Sequence, residues 1–518
     1  MNETSEIHTE IPAPIGAVAS RNPLRWLTIF GPGAIVASLT IGTGELVFSS
    51  RGGAIFGYSV LWVFLFVSLL KWAMVFASAR HIVLSGGHLF DRWVCLPGPR
   101  GWLPIALLVP SVITIPIWIG FLSGTVGTLF QDLSGIDKHV CGALALLLVA
   151  AFVFGGGYSA LEKVQLFLVG AMLIAMGFSA ILMNPDWLMV LKGLLVPTTL
   201  EYPSWLSEAA PKIAAQPIWI EISLYVGVVG GASYDYVAYV SFLREKHWGF
   251  SGRETPVDSA TLERVASMPA AGFRNWVRAP FIDCAMSFLA VIAFSAVFVI
   301  SGTLALGPEH KIPSGDNLLN LQAEFVTQLH DWLYPLYVVG ASLTLIGTLY
   351  GTNEVGPAIF RELFRSISPQ FAHRNEKSIR TIVCGWGIVG GFIVLGWSYW
   401  NHRQGGEGNP PTLVEIVTPA ALFTHVFSCA TICFLNPWMD NRFLPRALRM
   451  NRSLVATNWI AGVIFLLVGL KSYWDYGSAR SENAIVGGVI AVSSMLLIVI
   501  VGCAIAWIVN RRSTISQE

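Results

Sequence analysis

Long apolar runs alternate with short polar stretches along this chain from about residue 28 nearly to its end. A bilayer's hydrocarbon core of ~30 Å takes about 20 apolar residues in a helix. Runs of that length lie at 28–50, 57–82, 102–129, 139–158, 163–183, 217–243, 279–302, 332–353, 380–400, 413–435, 455–474 and 485–509. The pattern predicts an all-α polytopic membrane protein with 12 transmembrane spans, which places both termini on one side. Trp26, Trp62, Trp102, Trp187, Trp219, Trp332 and Trp474 lie near span ends, where aromatic belts form.

Two runs carry an interruption at mid-span. Gly42-Thr43-Gly44-Glu45 divides the first, and Gly227, Gly230 and Gly231 precede Ser233-Tyr234-Asp235-Tyr236 in the sixth. Glycine costs about 1 kcal/mol against alanine in a helix interior, and a break frees carbonyls and amides that a ligand, water or protein must satisfy. An acid at mid-membrane costs at least ~2.5 kcal/mol, so Glu45 and Asp235 are functional candidates by position. Paired glycine-interrupted helices point to a transporter with a midplane site. The bland alternative is a glycine-lined packing face with Glu45 bonded to a neighbouring helix.

Composition agrees with the pattern. With 54% hydrophobic and 12% charged residues the chain is not a soluble globular protein, and a net charge of +1 gives no reason to expect a nucleic-acid partner. The first ten residues hold three Glu and no Lys or Arg, unlike a signal peptide's basic start. Seven cysteines without a CxxC pair indicate neither a disulfide framework nor a zinc site, and Cys429 and Cys433 read as core cysteines on one helix face. Of the 32 Lys and Arg, 23 fall in segments that are cytoplasmic if the N-terminus is inside and eight on the other side. That asymmetry predicts cytoplasmic termini in a cell inner (plasma) membrane.

Between spans, 184–216 reads as an interfacial helix, Trp187 to Leu195, followed by a proline-rich irregular loop. The polar 244–278 segment, with Gly249 and Gly252, reads as a tether, and the last span as peripheral. Lys71 lies twelve residues inward of Ser59, about 18 Å along a helix. It either snorkels to the inner interface or pairs with Glu45 or Asp235. His425 reads as a hydrogen-bonded core histidine, and Asp283 and Glu354 as residues that meet headgroups or loop arginines.

The run Gly31-Pro32-Gly33-Ala34-Ile35-Val36-Ala37, then Gly53-Ala54-Ile55-Phe56-Gly57-Tyr58-Ser59-Val60-Leu61-Trp62 and Ser78-Ala79-Arg80, resembles the NRAMP family of proton-coupled divalent-metal transporters. Leu343-Thr344-Leu345-Ile346-Gly347-Thr348-Leu349-Tyr350-Gly351 agrees as well. The resemblance implies a leucine-transporter-type inverted repeat of 5+5 helices plus two further helices, with alternating access. It implies a cytoplasmic tail over 1–27, repeats over 28–183 and 217–435 joined by the extracytoplasmic 184–216, and two added helices over 455–509. The site departs from the family. Gly42, Thr43, Gly44 and Glu45 stand where it has Asp-Pro-Gly-Asn, Ser233, Tyr234 and Asp235 where it has Met-Pro-His, and Leu103 to Leu129 contains no acid.

Two functions follow. One is secondary transport of a hard divalent cation, Mg²⁺ or Mn²⁺, with Glu45 and Asp235 as metal-binding carboxylates; Gly42, Thr43, Gly44, Gly231, Ser233, Tyr234 and Tyr236 complete the substrate site. The other is transport of a small organic solute, with Lys71 reading its polar groups and Tyr234 and Tyr236 forming an amphipathic wall. A non-transporting membrane sensor on the same fold is a third class. No nucleophile, base and orienting group are visible, so an enzyme is not expected, nor a resident cofactor; the partners are the lipid bilayer and a small ion or solute.

Overall fold

A computed structural model describes residues 11–41, 48–155, 181–269, 272–313, 334–403 and 418–515 apart from 420, with scattered positions between 163 and 178. The regular secondary structure among the described residues is all helical. Eight helices among them are long and apolar enough to cross a membrane: Ser50–Ser85, Trp102–Gln131, Lys138–Gly155, Phe273–Glu309, Glu376–Arg403, Leu422–Phe443, Arg452–Ser478 and Ala484–Arg511. They coincide with the second, third, fourth, seventh and ninth to twelfth apolar runs.

The elements that position the site are α1 (Pro32–Thr40), α2 (Ser50–Phe56), α3 (Leu61–Ser85), α4 (Trp102–Leu108), α5 (Ser111–Ser134), α6 (Ile218–Val228), α7 (Ser233–Lys246), α8 (Arg278–Ser301), α9 (Tyr334–Ile367), α10 (Ser428–Phe443), α11 (Arg452–Ser478) and α12 (Ala484–Ile515). Helix α1 is buried along its whole length, packed by α7, α8 and α9. Helix α3 lies against α8 and α10, and α6 against α11. Helix α12 is exposed along much of its length, as expected of a peripheral span, yet it packs closely on α4 and α11.

Helix α1 begins at a proline, whose missing N–H costs nothing at a helix start. The amides it leaves open are met from far along the chain. Asp283 Oδ1 accepts from Gly31 N at 2.9 Å, and Oδ2 from Gly33 N at 2.8 Å and from the Tyr239 hydroxyl at 2.9 Å. Asp283 is fully buried, so its expected contact with headgroups or loop arginines is replaced by capping of α1. A carboxylate at a helix N-terminus matches both the orphan N–H groups and the dipole. Glu354 does meet an arginine, Arg380, at 2.6 Å.

The 244–278 segment is no loose tether. Trp248, Phe250, Leu262, Val265, Phe273 and Trp276 are buried, and Phe250 N donates to Val83 O and Val257 N to Ser85 O. Its polar composition concealed six apolar anchors. Arg244 holds the segment by donating to Arg253 O while pairing with Glu362 at 2.9 Å and Asp91 at 3.3 Å. Burial opposes ionisation of Glu362, but Arg244, His88 and Arg365 outweigh it and hold its carboxyl at about 2. The Trp187–Leu195 helix forms as expected, capped by Asp186, whose Oδ1 accepts from Leu188 N and Met189 N.

Gly53 of α2 and Gly302, just past α8, sit where two backbones touch. A Cβ on Gly302 would collide with Ser50 O, and one on Gly53 with Val299 O. Gly302→Ala is therefore expected to destabilise by about 1–3 kcal/mol, since backbone cannot yield as a side-chain tip can. An unchanged midpoint of thermal unfolding in detergent would refute this.

Candidate functional site

The sixth apolar run is two helices, α6 and α7, separated by non-helical Val229 to Ala232. Gly230 has φ 79° and Gly231 φ 102°, a region that strongly favours glycine. Both positions also lack room. A Cβ on Gly231 would lie 2.6 Å from Thr40 Cγ2, and one on Gly230 2.9 Å from Phe288 Cε1. The sequence alone placed this break, because glycine at mid-span is a local signal. Gly42, Thr43, Gly44 and Glu45 lie outside the described residues, as does the side chain of His425; α1 is described up to Thr40, with Ile41 beyond it.

The break is held by side chains. Asp235 Oδ2 accepts from Ala232 N at 2.6 Å, turning the start of α7 back on itself as a cap. The Tyr236 hydroxyl donates to Gly230 O at 2.6 Å, and the Tyr234 hydroxyl to Leu107 O at 2.6 Å. Ser233 is buried at the first position of α7. Lys71 comes across from α3: its Nζ donates to Gly227 O at 2.7 Å, Val229 O at 2.7 Å and Gly231 O at 2.8 Å. Its exposure is 0%, so it does not snorkel. Lys71 and Asp235 are electrostatic neighbours, and Cys429 lies beside both.

A cavity of about 70 Å³ opens against the break. Gly231, Ala232, Tyr234 and Asp235 line one wall and Leu39 and Thr40 of α1 another; Thr114, Trp118, Thr352 and Thr424 share the rest with the apolar Ile115, Leu122 and Val355. Asp235 is the only acidic lining residue among the described residues. Sequence reasoning missed Thr40, Thr114, Thr352 and Thr424; their one signal was a hydroxyl within an apolar run, which is too common to single out. Among the described residues no three His, Cys, Asp or Glu side chains gather closely enough to hold a metal ion.

A second buried polar group joins α2 to α6. Arg51 Nη2 of α2 pairs with Glu221 Oε2 of α6 at 2.5 Å, with side-chain exposures of 7% and 1%. Tyr202 and Tyr225 lie beside the pair. It went unnoticed in the sequence because 170 residues separate the partners.

The model of the natural resistance-associated macrophage protein-like (Nramp) family matches residues 33–303, more than half of the chain. The chain belongs to this family. Among its relatives are the divalent metal cation transporter MntH of Pectobacterium carotovorum, 24% identical over 336 residues that cover 63% of this chain and 71% of the relative, and that of Chromohalobacter salexigens, 25% identical over 343 residues covering 63% and 69%. A manganese transporter of Eremococcus coleocola has a similar structure, with a TM-score of 0.66 at 15% identity, covering 98% of this chain and 99% of that one. At that identity the likeness establishes the fold. The Nramp match takes in both α1 and the α6–α7 break, so these lie within the family's shared region.

Proposed function

We propose that this Nramp-family member is a secondary-active membrane transporter that carries a hard divalent cation, Mg²⁺ or Mn²⁺, by alternating access at the α6–α7 break. The observation that carries this reading is the cavity: about 70 Å³, bordered by Asp235 and by four threonines at a glycine-broken helix. Such a volume takes an ion with some of its water and falls well below the ~300–1,000 Å³ of drug-sized ligand sites. Carboxylate and hydroxyl oxygens suit Mg²⁺ and Mn²⁺, and no thioether borders the described cavity to favour a softer metal. The relatives named as divalent metal cation transporters support the cation class.

In this reading Glu45 joins Asp235 as a second carboxylate, with Gly42, Thr43, Gly44, Gly231 and Ser233 contributing backbone or hydroxyl oxygens. The chain has twelve spans, with inverted repeats over 28–183 and 217–435, an interfacial helix in 184–216, two added helices over 455–509, and both termini cytoplasmic in the cell's inner membrane. A second reading, an organic solute, is favoured by the fixed positive charge of Lys71 at the break. Calorimetric titration of purified protein with Mg²⁺, Mn²⁺ and a panel of amino acids and amines separates the two. Divalent binding that weakens at least tenfold in Glu45→Gln supports the cation; no divalent binding up to millimolar concentration in folded wild type sinks it.

A further inference from the structure

The end of α6 leaves backbone carbonyls that no i+4 amide can reach, because the chain departs from helix at Val229. Four of these oxygens lie in a short stretch, and side chains meet each one. Gly230 O takes the Tyr236 hydroxyl; Gly227 O, Val229 O and Gly231 O converge on the single nitrogen of Lys71. An ammonium carries three N–H donors and no acceptor, so three carbonyls at 2.7–2.8 Å match it in number and in length.

Three convergent carbonyls make a recognisable ligand set. They present dipoles without net charge, which is how proteins replace the hydration shell of a monovalent cation, whereas divalent ions are held mainly by carboxylates. The set is dry, since Lys71 is wholly buried, and it is built from backbone whose shape Gly230 and Gly231 fix through positive φ.

We propose that the carbonyls of Gly227, Val229 and Gly231 form a monovalent-cation site at the α6–α7 break, and that Lys71 is its covalently tethered occupant. A tethered ammonium cannot diffuse away, so in this conformation the site is filled and takes no free ion from either side. Beside Asp235 it also supplies a permanent positive charge, which lowers the net negative charge available to a cargo cation. Removing the side chain beyond Cβ opens a space that held three methylenes and an ammonium, and its far end is faced by three acceptors with no donor.

The site is independent of what the transporter carries, and its test uses no divalent ion. Full-length Lys71→Ala and Lys71→Met are purified in detergent and unfolded thermally in ammonium, methylammonium, potassium, sodium or choline chloride at equal ionic strength. In Lys71→Ala, ammonium is expected to raise Tm progressively with concentration, by about 2 °C or more near saturation relative to choline, while wild type shows no difference between the salts. Methylammonium is expected to act similarly. Lys71→Met fills the space without a charge and is expected to remain less stable than wild type in every salt. If Lys71→Ala folds only in ammonium, that rescue supports the site equally. Equal Tm of Lys71→Ala in ammonium and choline overturns the proposal, as does failure of both variants to fold in any of the salts. A null calorimetric result with Mg²⁺ and Mn²⁺ would sink the cargo reading and leave this one standing.

Discussion

Asp440→Ala is expected to lower stability by about 3–5 kcal/mol, the cost of leaving a buried cation without its partner. Asp440 Oδ2 accepts from Arg80 Nη1 at 2.5 Å and from Met450 N at 2.9 Å, and its Oδ1 lies 3.0 Å from His81 Nδ1. The Arg80 and Asp440 side chains are only 9% and 3% exposed. The same corner is tied by Ser78 to Asn436 and by Asn436 to Asn458, so α3, α10 and α11 share one polar seam. Loss of the carboxylate strands the Arg80 guanidinium, which keeps only its bond to Leu448 O. The measurement is the midpoint of thermal unfolding in detergent for Asp440→Ala, Arg80→Ala and the double variant. Damage in the double variant well below the sum of the singles is expected, because residues in contact are not additive. Strict additivity would mean that the pair contributes nothing beyond its separate contacts.

The second large effect is expected at Arg51 and Glu221. Glu221→Ala leaves Arg51 buried and uncompensated, again at about 3–5 kcal/mol. Replacing both, Arg51→Met with Glu221→Leu, is expected to restore stability to near or above wild type, because two desolvated charges are exchanged for apolar packing of similar volume. The functional consequence separates stability from action. The pair fastens α2 to α6, the helix that leads into the break at Val229 to Ala232. If access to the site alternates, this fastening must open in one state, and its replacement by apolar contact is expected to change transport rate at least several-fold while Tm is preserved. Transport of a divalent cation into proteoliposomes, measured beside Tm, checks it. A double variant with unchanged rate would show that the pair is structural alone.

Twelve apolar runs were legible in the sequence because membrane helices must satisfy every backbone group within the segment, which imposes length and composition locally. Eight of those runs appear as long apolar helices, and the glycine-rich interruption of the sixth appears as real unwinding. Both signals are short-range: residue type and spacing suffice for an apolar face or a broken one. The Asp235 cap and the Tyr236 bond to Gly230 are short-range too, three and six residues apart.

What the sequence left open was which distant group meets which. Lys71 was ambiguous between the interface and a partner, since a helix position gives depth and not the identity of a neighbour. Packing of α3 against α6 decided it, across 156 to 160 residues of chain. Asp283 looked like an interfacial acid until α8 brought it to the N-terminus of α1, about 250 residues away. The 244–278 segment looked like a tether because its polar residues outnumber the few aromatics that anchor it. Sequence by itself determined the helices, their membrane setting and the place of one break, since these follow from local solvation and backbone freedom. The partners of each buried charge were decided by tertiary structure alone, because a desolvated charge is stabilised by whatever the fold carries to it.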